Sequence, residues 1–321
     1  MVQEGVHRGH SASIAANPIN QRGIAGTVVA MPPSSDFDGD AGPDDHPSTD
    51  PAAAHGDADA AATAAAPLDA FSELVACDPV PLDQAALAIA AHCRGGDVGP
   101  AATLAELDRL GAAVREPIPE AVLDLLFAKE GFGPNRGRFA DPANSYLDLV
   151  VSRRLGIPIT LAVVTIEVAR RAGLELHGVG MPGHFLVGTP HPGMFIDAFD
   201  GRLVDRVGAQ QIFKRFESRH SFDDSLLAPT PAPQILLRML NNLRTLHMRQ
   251  PGAPSILAVL ELLTRLPDCP PPEFIRLGQA LSALGRPDEG ARTLEAAAER
   301  FGGSAADQLN NAALRLWAQL N

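Results

Sequence analysis

Residues 144–200 read NSYLDLVVSRRLGIPITLAVVTIEVARRAGLELHGVGMPGHFLVGTPHPGMFIDAFD, and their patterning decides the fold. From Ile159 to Ala172 apolar residues fill nearly every position. Leu161, Ala162, Val163, Val164, Ile166, Val168 and Ala169 leave almost no polar face, which marks a helix buried all round. Pro158 near the first turn and Gly173 past the last turn set its bounds. Four short strand-like runs follow, at Leu176–Val179, His184–Gly188, Phe195–Phe199 and Arg202–Val204. The turn formers Thr189, Pro190, His191, Pro192 and Gly193 read as a hairpin connection between the second and third runs.

His184 opens the second of these strands and Asp197 lies in the third, thirteen residues on. An antiparallel pairing that turns both side chains to one face would join them. The carboxylate then accepts from one ring nitrogen and leaves the other as a base. On spacing alone, a buried histidine held by a carboxylate for structural reasons is the favoured reading.

Outward from this stretch the chain is helical on both sides. Upstream, Leu68, Phe71, Leu74 and Val75 recur at helical spacing, as do Ala86, Leu87, Ile89 and Ala90. Two further helices are expected, from Ala101 to about Val114 and from Pro119 to Glu130. A Gly- and Pro-containing loop from Gly131 to Ala143 leads to Asn144, placed as an N-cap for a helix from Ser145 to about Leu155. A short helix is expected at Gln210–Phe216 and a boundary within Ser218–Pro233. Amphipathic helices then start at Ile235 and Ser255. Phe274–Phe301 has the form of one tetratricopeptide unit, its two helices meeting at Gly285, Arg286 and Pro287, with Ala280 and Ala291 small enough for close approach. Three segments result: a disordered low-complexity tail over 1–66, a central domain with helical lead-in over 67–228, and a helical segment over 229–321.

Composition narrows the function. The formal charge of −12 over 321 residues, with no polybasic run, argues against nucleic acid. No apolar run is long enough to span a bilayer, and the polar, His-containing start lacks a signal peptide's apolar core. The three cysteines, Cys77, Cys93 and Cys269, are odd in number and widely spaced, which fits buried thiols in a reducing cytoplasm. No cofactor is expected. His177, His184 and His191 stand seven apart on separate strands or loops, with no HxxxH or HExxH, so no metal site is expected either. Ser145 lacks a GxSxG elbow, and the glycines Gly178, Gly180 and Gly183 lie between strands rather than opening a helix. Arg136 and Arg138 in the glycine-containing loop are candidates for holding an anion or carboxylate.

Taken jointly, several motifs resemble the bacterial SirB-type transglutaminase-like family. They are Asn144-Ser145-Tyr146-Leu147, Arg154 with Gly156-Ile157-Pro158-Ile159-Thr160-Leu161, Glu167 with Arg170-Arg171 and Gly173, Gly180 with Pro182-Gly183-His184-Phe185-Leu186-Val187, and Ile196-Asp197 with Phe199. The resemblance spans roughly residues 68–321. It implies an α+β fold with a papain- or transglutaminase-like core, in which a central buried helix packs on an antiparallel sheet. It also implies a helical lead-in and a tetratricopeptide-like C-terminal segment. By the same resemblance His184 and Asp197 take the positions of the triad His and Asp, and the nucleophilic Cys should fall near Pro158, Ile159 or Thr160. None of these supplies a thiolate, and a helix N-terminus that lowers a thiol's pKa would hardly ionise Thr160. His184, Asp197 and Thr160 are therefore expected as a vestigial site in a pseudoenzyme that acts on a protein partner. The competing expectation is a working peptidase, amidase or acyl transferase, its nucleophile being Thr160 or a cysteine brought from elsewhere, such as Cys77 or Cys93.

Overall fold

The structure is a computed structural model that describes residues 57–96, 98–217, 220–249 and 256–320. Most of the expected disordered tail, residues 1–56, lies outside the described residues; Asp57–Ala66 form the opening turns of the first helix.

Four helical segments lead in: α1 (Asp57–Val75), α2 (Leu82–Arg94), α3 (Pro100–Ala113) and α4 (Pro119–Leu123). The expected continuous helix from Pro119 to Glu130 changes pitch, because Asp124–Lys129 wind as a π-helix. That wider turn sends Leu125 and Leu126 into the core, while Phe127 comes close enough to Gly201 that an added Cβ would stand 3.0 Å from its ring. A short parallel pair, β1 (Gly133–Pro134) with β2 (Leu155–Gly156), brackets α5 (Leu147–Arg153). Asn144 ends a 3₁₀ turn instead of capping α5, whose N-cap is Tyr146.

The central helix α6 (Pro158–Arg171) is buried continuously from Pro158 to Ala169. Burying a Leu, Ile or Val side chain contributes about 1.5–3 kcal/mol, and α6 buries Ile159, Leu161, Val163, Val164, Ile166 and Val168. Its C-terminus closes through Gly173 at φ 82°, with the Leu174 N–H donating to the Ala169 carbonyl.

Against α6 lies an antiparallel meander of β3 (His177–Met181), β4 (His184–Gly188), β5 (Met194–Asp197) and β6 (Arg202–Asp205), in sequence order across the sheet. Period-two alternation explains why all five residues of β4 are buried. Phe185 and Val187 join the core built on α6, while Leu186 joins Val179 and Met181 against Ile212 and Phe213 of α7 (Arg206–Phe216). The β3–β4 register, Met181 opposite His184, leaves Pro182 and Gly183 as the turn. Gly183 is required there: its φ is 73°, and an added Cβ would stand 2.4 Å from the Phe216 Cβ.

After α7 the chain returns to the sheet through a Thr230 N–H to Gly178 carbonyl bond of 2.8 Å. It then enters α8 (Ala232–Arg249), whose Ile235, Leu236, Met239, Leu240 and Leu243 belong to the α6 core. Helix α9 (Ile256–Leu263) packs beside it. Helices α10 (Pro271–Ala283), α11 (Pro287–Ala298) and α12 (Gly303–Trp317) enclose a separate core of Phe274, Ala291, Leu294, Leu309 and Leu316. Ala291 is fully buried there, and α10 and α11 also come close at Gly278 and Gly290, where an added Cβ on Gly290 would stand 2.6 Å from the Gly278 carbonyl oxygen.

Candidate functional site

The turn at Gly183 starts β4, so His184 stands at the end of the sheet rather than in its middle. Strand β5 runs antiparallel, with Val187 opposite Ile196 and Gly188 opposite Phe195. Alternation from those pairs puts His184 with Leu186, and Asp197 with Phe195, on the face covered by α7. The two side chains meet: His184 Nε2 is 2.9 Å from Asp197 Oδ1, both buried. The imidazole is held on two further sides. Phe216 stacks on it at 5.5 Å and 15°, and Phe199 meets it edge-on at 6.0 Å and 85°. Its backbone carbonyl accepts from Arg238 Nη2 at 2.8 Å.

Asp197 Oδ1 also accepts the N–H groups of Phe199 at 3.2 Å and Asp200 at 3.3 Å, which fixes the turn after β5. Burial pushes this carboxyl upward. The His184 hydrogen bond and charge, the Asp200 N–H and the Arg202 guanidinium outweigh burial and hold it below the usual carboxylate range. Arg202 stands opposite Asp197 in the β5–β6 register, its Nη2 3.7 Å from Asp197 Oδ2. Two buried atoms of the pair, His184 Nδ1 and Asp197 Oδ2, have no hydrogen-bond partner among the described residues. His184 Nε2 is thus fixed by Asp197, while Nδ1 is buried and unbonded among them.

Residues 101–241 match the family model described as transglutaminase-like superfamily. A UPF0162 protein of Pseudomonas aeruginosa is 31% identical over 264 residues, covering 69% of this chain and 97% of that protein. The chain belongs to the UPF0162 family. A UPF0162 protein of Xylella fastidiosa strain Temecula1 is 43% identical over 134 residues, 40% of this chain, and the match spans about half of that relative's length, 48%. Human F-box only protein 21 is 27% identical over 143 residues, 43% of this chain and 23% of that protein. No solved structure matches the chain.

In this UPF0162 chain the start of α6 holds no thiol, and its one hydroxyl is taken. Thr160 is completely buried, donates to the Asn144 carbonyl at 2.7 Å, and accepts the Ile157 N–H at 3.1 Å. The second bond is one half of a capping box; Ile157 has no side-chain oxygen to supply the other half. Neither bond reaches His184 or Asp197. The cysteines lie elsewhere. Cys77 follows α1 and is exposed, with its Sγ 3.4 Å from the Glu73 carbonyl oxygen. Cys93 in α2 is pushed up to about 12, first by burial and then by Glu261. Cys269 before α10 is pushed up to about 12 by burial, with Glu273 adding and Arg300 opposing.

His177 opens β3, and its ring lies across Gly188 of β4; burial lowers its pKa. His191 lies in the β4–β5 loop, where its N–H bonds the Thr189 hydroxyl at 3.2 Å. Among the described residues no three His, Cys, Asp or Glu side chains gather as a metal cage needs. No helix among them is long and apolar enough to cross a membrane. Ser145 is buried between the 3₁₀ turn and α5, its hydroxyl without a partner among the described residues. Gly178 and Gly180 lie within β3, where close packing by Ile235, Phe185 and Thr230 accounts for them.

Arg136 reaches the site region, bonding Asp200 Oδ1 at 2.5 Å and lying 4.9 Å over the Phe199 ring. Arg202, Asp200 and Phe216 complete the surroundings of the pair and were not anticipated. Arg202 was readable in principle, because it lies directly across from Asp197 once the hairpin register is known. Phe216 was not, since only the packing of α7 brings it to the ring.

Proposed function

We propose that this chain is a SirB-type transglutaminase-like protein that carries the His184–Asp197 pair without a nucleophile and works by binding, not by acyl transfer. The observation that carries this reading is the commitment of the Thr160 hydroxyl to Asn144 and Ile157, in a helix start with no cysteine. A hydroxyl bonded in that way has no base to activate it. In this role His184, Asp197 and Thr160 form a vestigial site, and the hydrogen bond across β4 and β5 clamps the two strands. The alternative, an enzyme recruiting Cys93, is weighed down by a thiol that burial keeps protonated at neutral pH.

Helices α10 to α12 are the second binding surface in this reading, a tetratricopeptide-like cap suited to a protein partner, and the protein works in the cytoplasm. The packing of Leu294 against Gly278 and of Gly290 against the Gly278 carbonyl supports close-paired helices of that type.

The test is turnover. Full-length protein and His184→Ala are assayed for hydrolysis of peptide and glutamine amides and for amine incorporation. Both are expected at background, with the same partner proteins captured by each if α10 to α12 provide the contact. Turnover by the wild type that His184→Ala abolishes would overturn the reading.

A further inference from the structure

Beside the pair lies a cavity of about 600 Å³, a size at which small-molecule sites are common. Its walls include Phe127, Phe132 and Phe199, with Arg136, Asp200 and Arg202. Three of these residues touch the pair itself, Asp200 through its N–H to Asp197 Oδ1. Phe199 presents its ring to His184, and Arg202 stands 3.7 Å from Asp197 Oδ2.

The charges in this wall are not matched one to one. Arg136 bonds Asp200 Oδ1 at 2.5 Å, while Arg202 approaches Asp200 Oδ2 only at 3.6 Å. Neither Arg202 distance, 3.6 Å to Asp200 or 3.7 Å to Asp197, is a hydrogen bond. Two guanidiniums thus face one carboxylate in the lining, and most of their N–H donors are unspent on it. Counting the buried Asp197 behind Arg202, the two guanidiniums and two carboxylates balance in charge, and what the wall offers a ligand is the N–H donors of Arg136 and Arg202 that no hydrogen bond to these carboxylates uses. The guanidinium fork matches a carboxylate in two-point geometry. Phenyl rings beside it offer an apolar floor, and the π-helix at Asp124–Lys129 places one of them, Phe127, against Gly201.

We propose that this cavity binds a carboxylate attached to an apolar or aromatic group, with the acid held by Arg136 and Arg202 and the apolar group resting on Phe127, Phe132 and Phe199. A peptide C-terminus and a free organic acid share that chemistry. The assignment deepens the binding reading above and rests on it for the claim that this face takes a ligand without turning it over.

The experiment is isothermal titration calorimetry of the full chain with three probes: a tripeptide ending in phenylalanine with a free carboxylate, the same tripeptide amidated, and phenylacetate. Binding of the acids but not the amide is expected. Arg136→Ala and Arg202→Ala should each weaken it by about tenfold or more, the loss typical of a hydrogen bond to a charged group. A tighter tripeptide points to a peptide C-terminus, and phenylacetate of equal affinity to a small acid. Arg136 is 65% exposed, so its loss leaves the fold intact. No binding by either acid, equal binding of the amide, or affinity unchanged in both arginine variants overturns the assignment. The same mixtures are checked for cleavage products. Turnover there would refute the binding-only reading and leave the cavity assignment standing, whereas absent binding refutes the cavity alone.

Discussion

Two clusters of buried charge flank the core helix, and they are built on different rules. At the C-terminal end of α6, Arg171 bonds Asp83 at 2.6 Å, Asp108 at 2.6 Å and Glu167 at 2.8 Å, and Arg170 bonds Glu167 at 2.9 Å. None of those carboxylate oxygens is left buried without a partner. At the edge of the sheet, His184 and Asp197 share one bond and leave His184 Nδ1 and Asp197 Oδ2 without one among the described residues. A cluster that exists to join α2, α3 and α6 gains by saturating every atom, because a buried polar atom left alone costs free energy. The sheet-edge pair also joins two strands, but it leaves polar atoms buried and unbonded at a cost, as do His92 and Asp148 elsewhere in the fold. That contrast, together with the cleft lined by Phe199, Asp200 and Arg202 beside the pair, is the physical reason to look for function at the sheet edge and not at the helix end.

Breaking the helix-end cluster should have the largest effect. Arg171→Ala leaves the buried Asp83 and Glu167 with Arg170 alone, which reaches Glu167 at 2.8 Å but Asp83 only at 3.5 Å. The expected loss is about 3–5 kcal/mol, the range for breaking a buried pair from one side, measured as the shift in urea unfolding midpoint. Asp197→Ala should cost less, about 1.5–3 kcal/mol, through loss of the 2.9 Å His184 bond with smaller additions from the longer Phe199 and Asp200 N–H bonds. Thr160→Val keeps the shape but strands the Ile157 N–H and the Asn144 carbonyl, for about 1–2 kcal/mol by the same measurement. Arg206→Ala removes an exposed pair with Asp224, and should shift stability by at most about 1 kcal/mol.

The pH dependence sharpens the contrast, because the two clusters should respond with opposite sign. Asp197 titrates below its ordinary value in the folded chain. Its contribution is therefore fully present above the ordinary carboxylate range and is lost as pH falls through the folded value. Comparing wild type with Asp197→Asn from neutral pH downward should show the wild-type advantage shrinking only below about pH 4. Glu167 is raised, by burial first and by Asp83 second, against the pull of Arg170 and Arg171. Its folded form takes up a proton more readily than its unfolded form. Stability contributed there should fall as pH rises above the ordinary carboxylate range, and Glu167→Gln should flatten that slope. The same slope in both variants would show that the two clusters are one kind of structure.

Much of the architecture was legible before any coordinates. The strands at His184–Gly188 and Arg202–Val204 begin where the sequence placed them, and the central helix runs Pro158–Arg171 against an expected Ile159–Ala172. A meeting of His184 and Asp197 was open to the sequence on condition of antiparallel pairing with both side chains on one face, and the register of β4 and β5 supplies both. The misplacements share a cause: they occur where local geometry departs from a repeating period. The π-turn at Asp124–Lys129 and the 3₁₀ turn at Pro142–Asn144 insert or tighten a turn without any composition that a 3.6-residue period would flag.

By itself, the sequence determined the buried helix, the strand-like runs after it, His184 and Asp197 as the candidates on those runs, and the want of a cysteine at the helix start. These follow from apolar periodicity, turn chemistry and residue identity, all of which are local. Only the tertiary structure decided what those residues touch. The Thr160 hydroxyl bonds a carbonyl sixteen positions back, Asp83 meets Arg171 across 88 positions, and Arg136 meets Asp200 across 64. Such contacts depend on how elements stack, and a hydrogen bond is made or lost within a fraction of an ångström that no sequence spacing specifies.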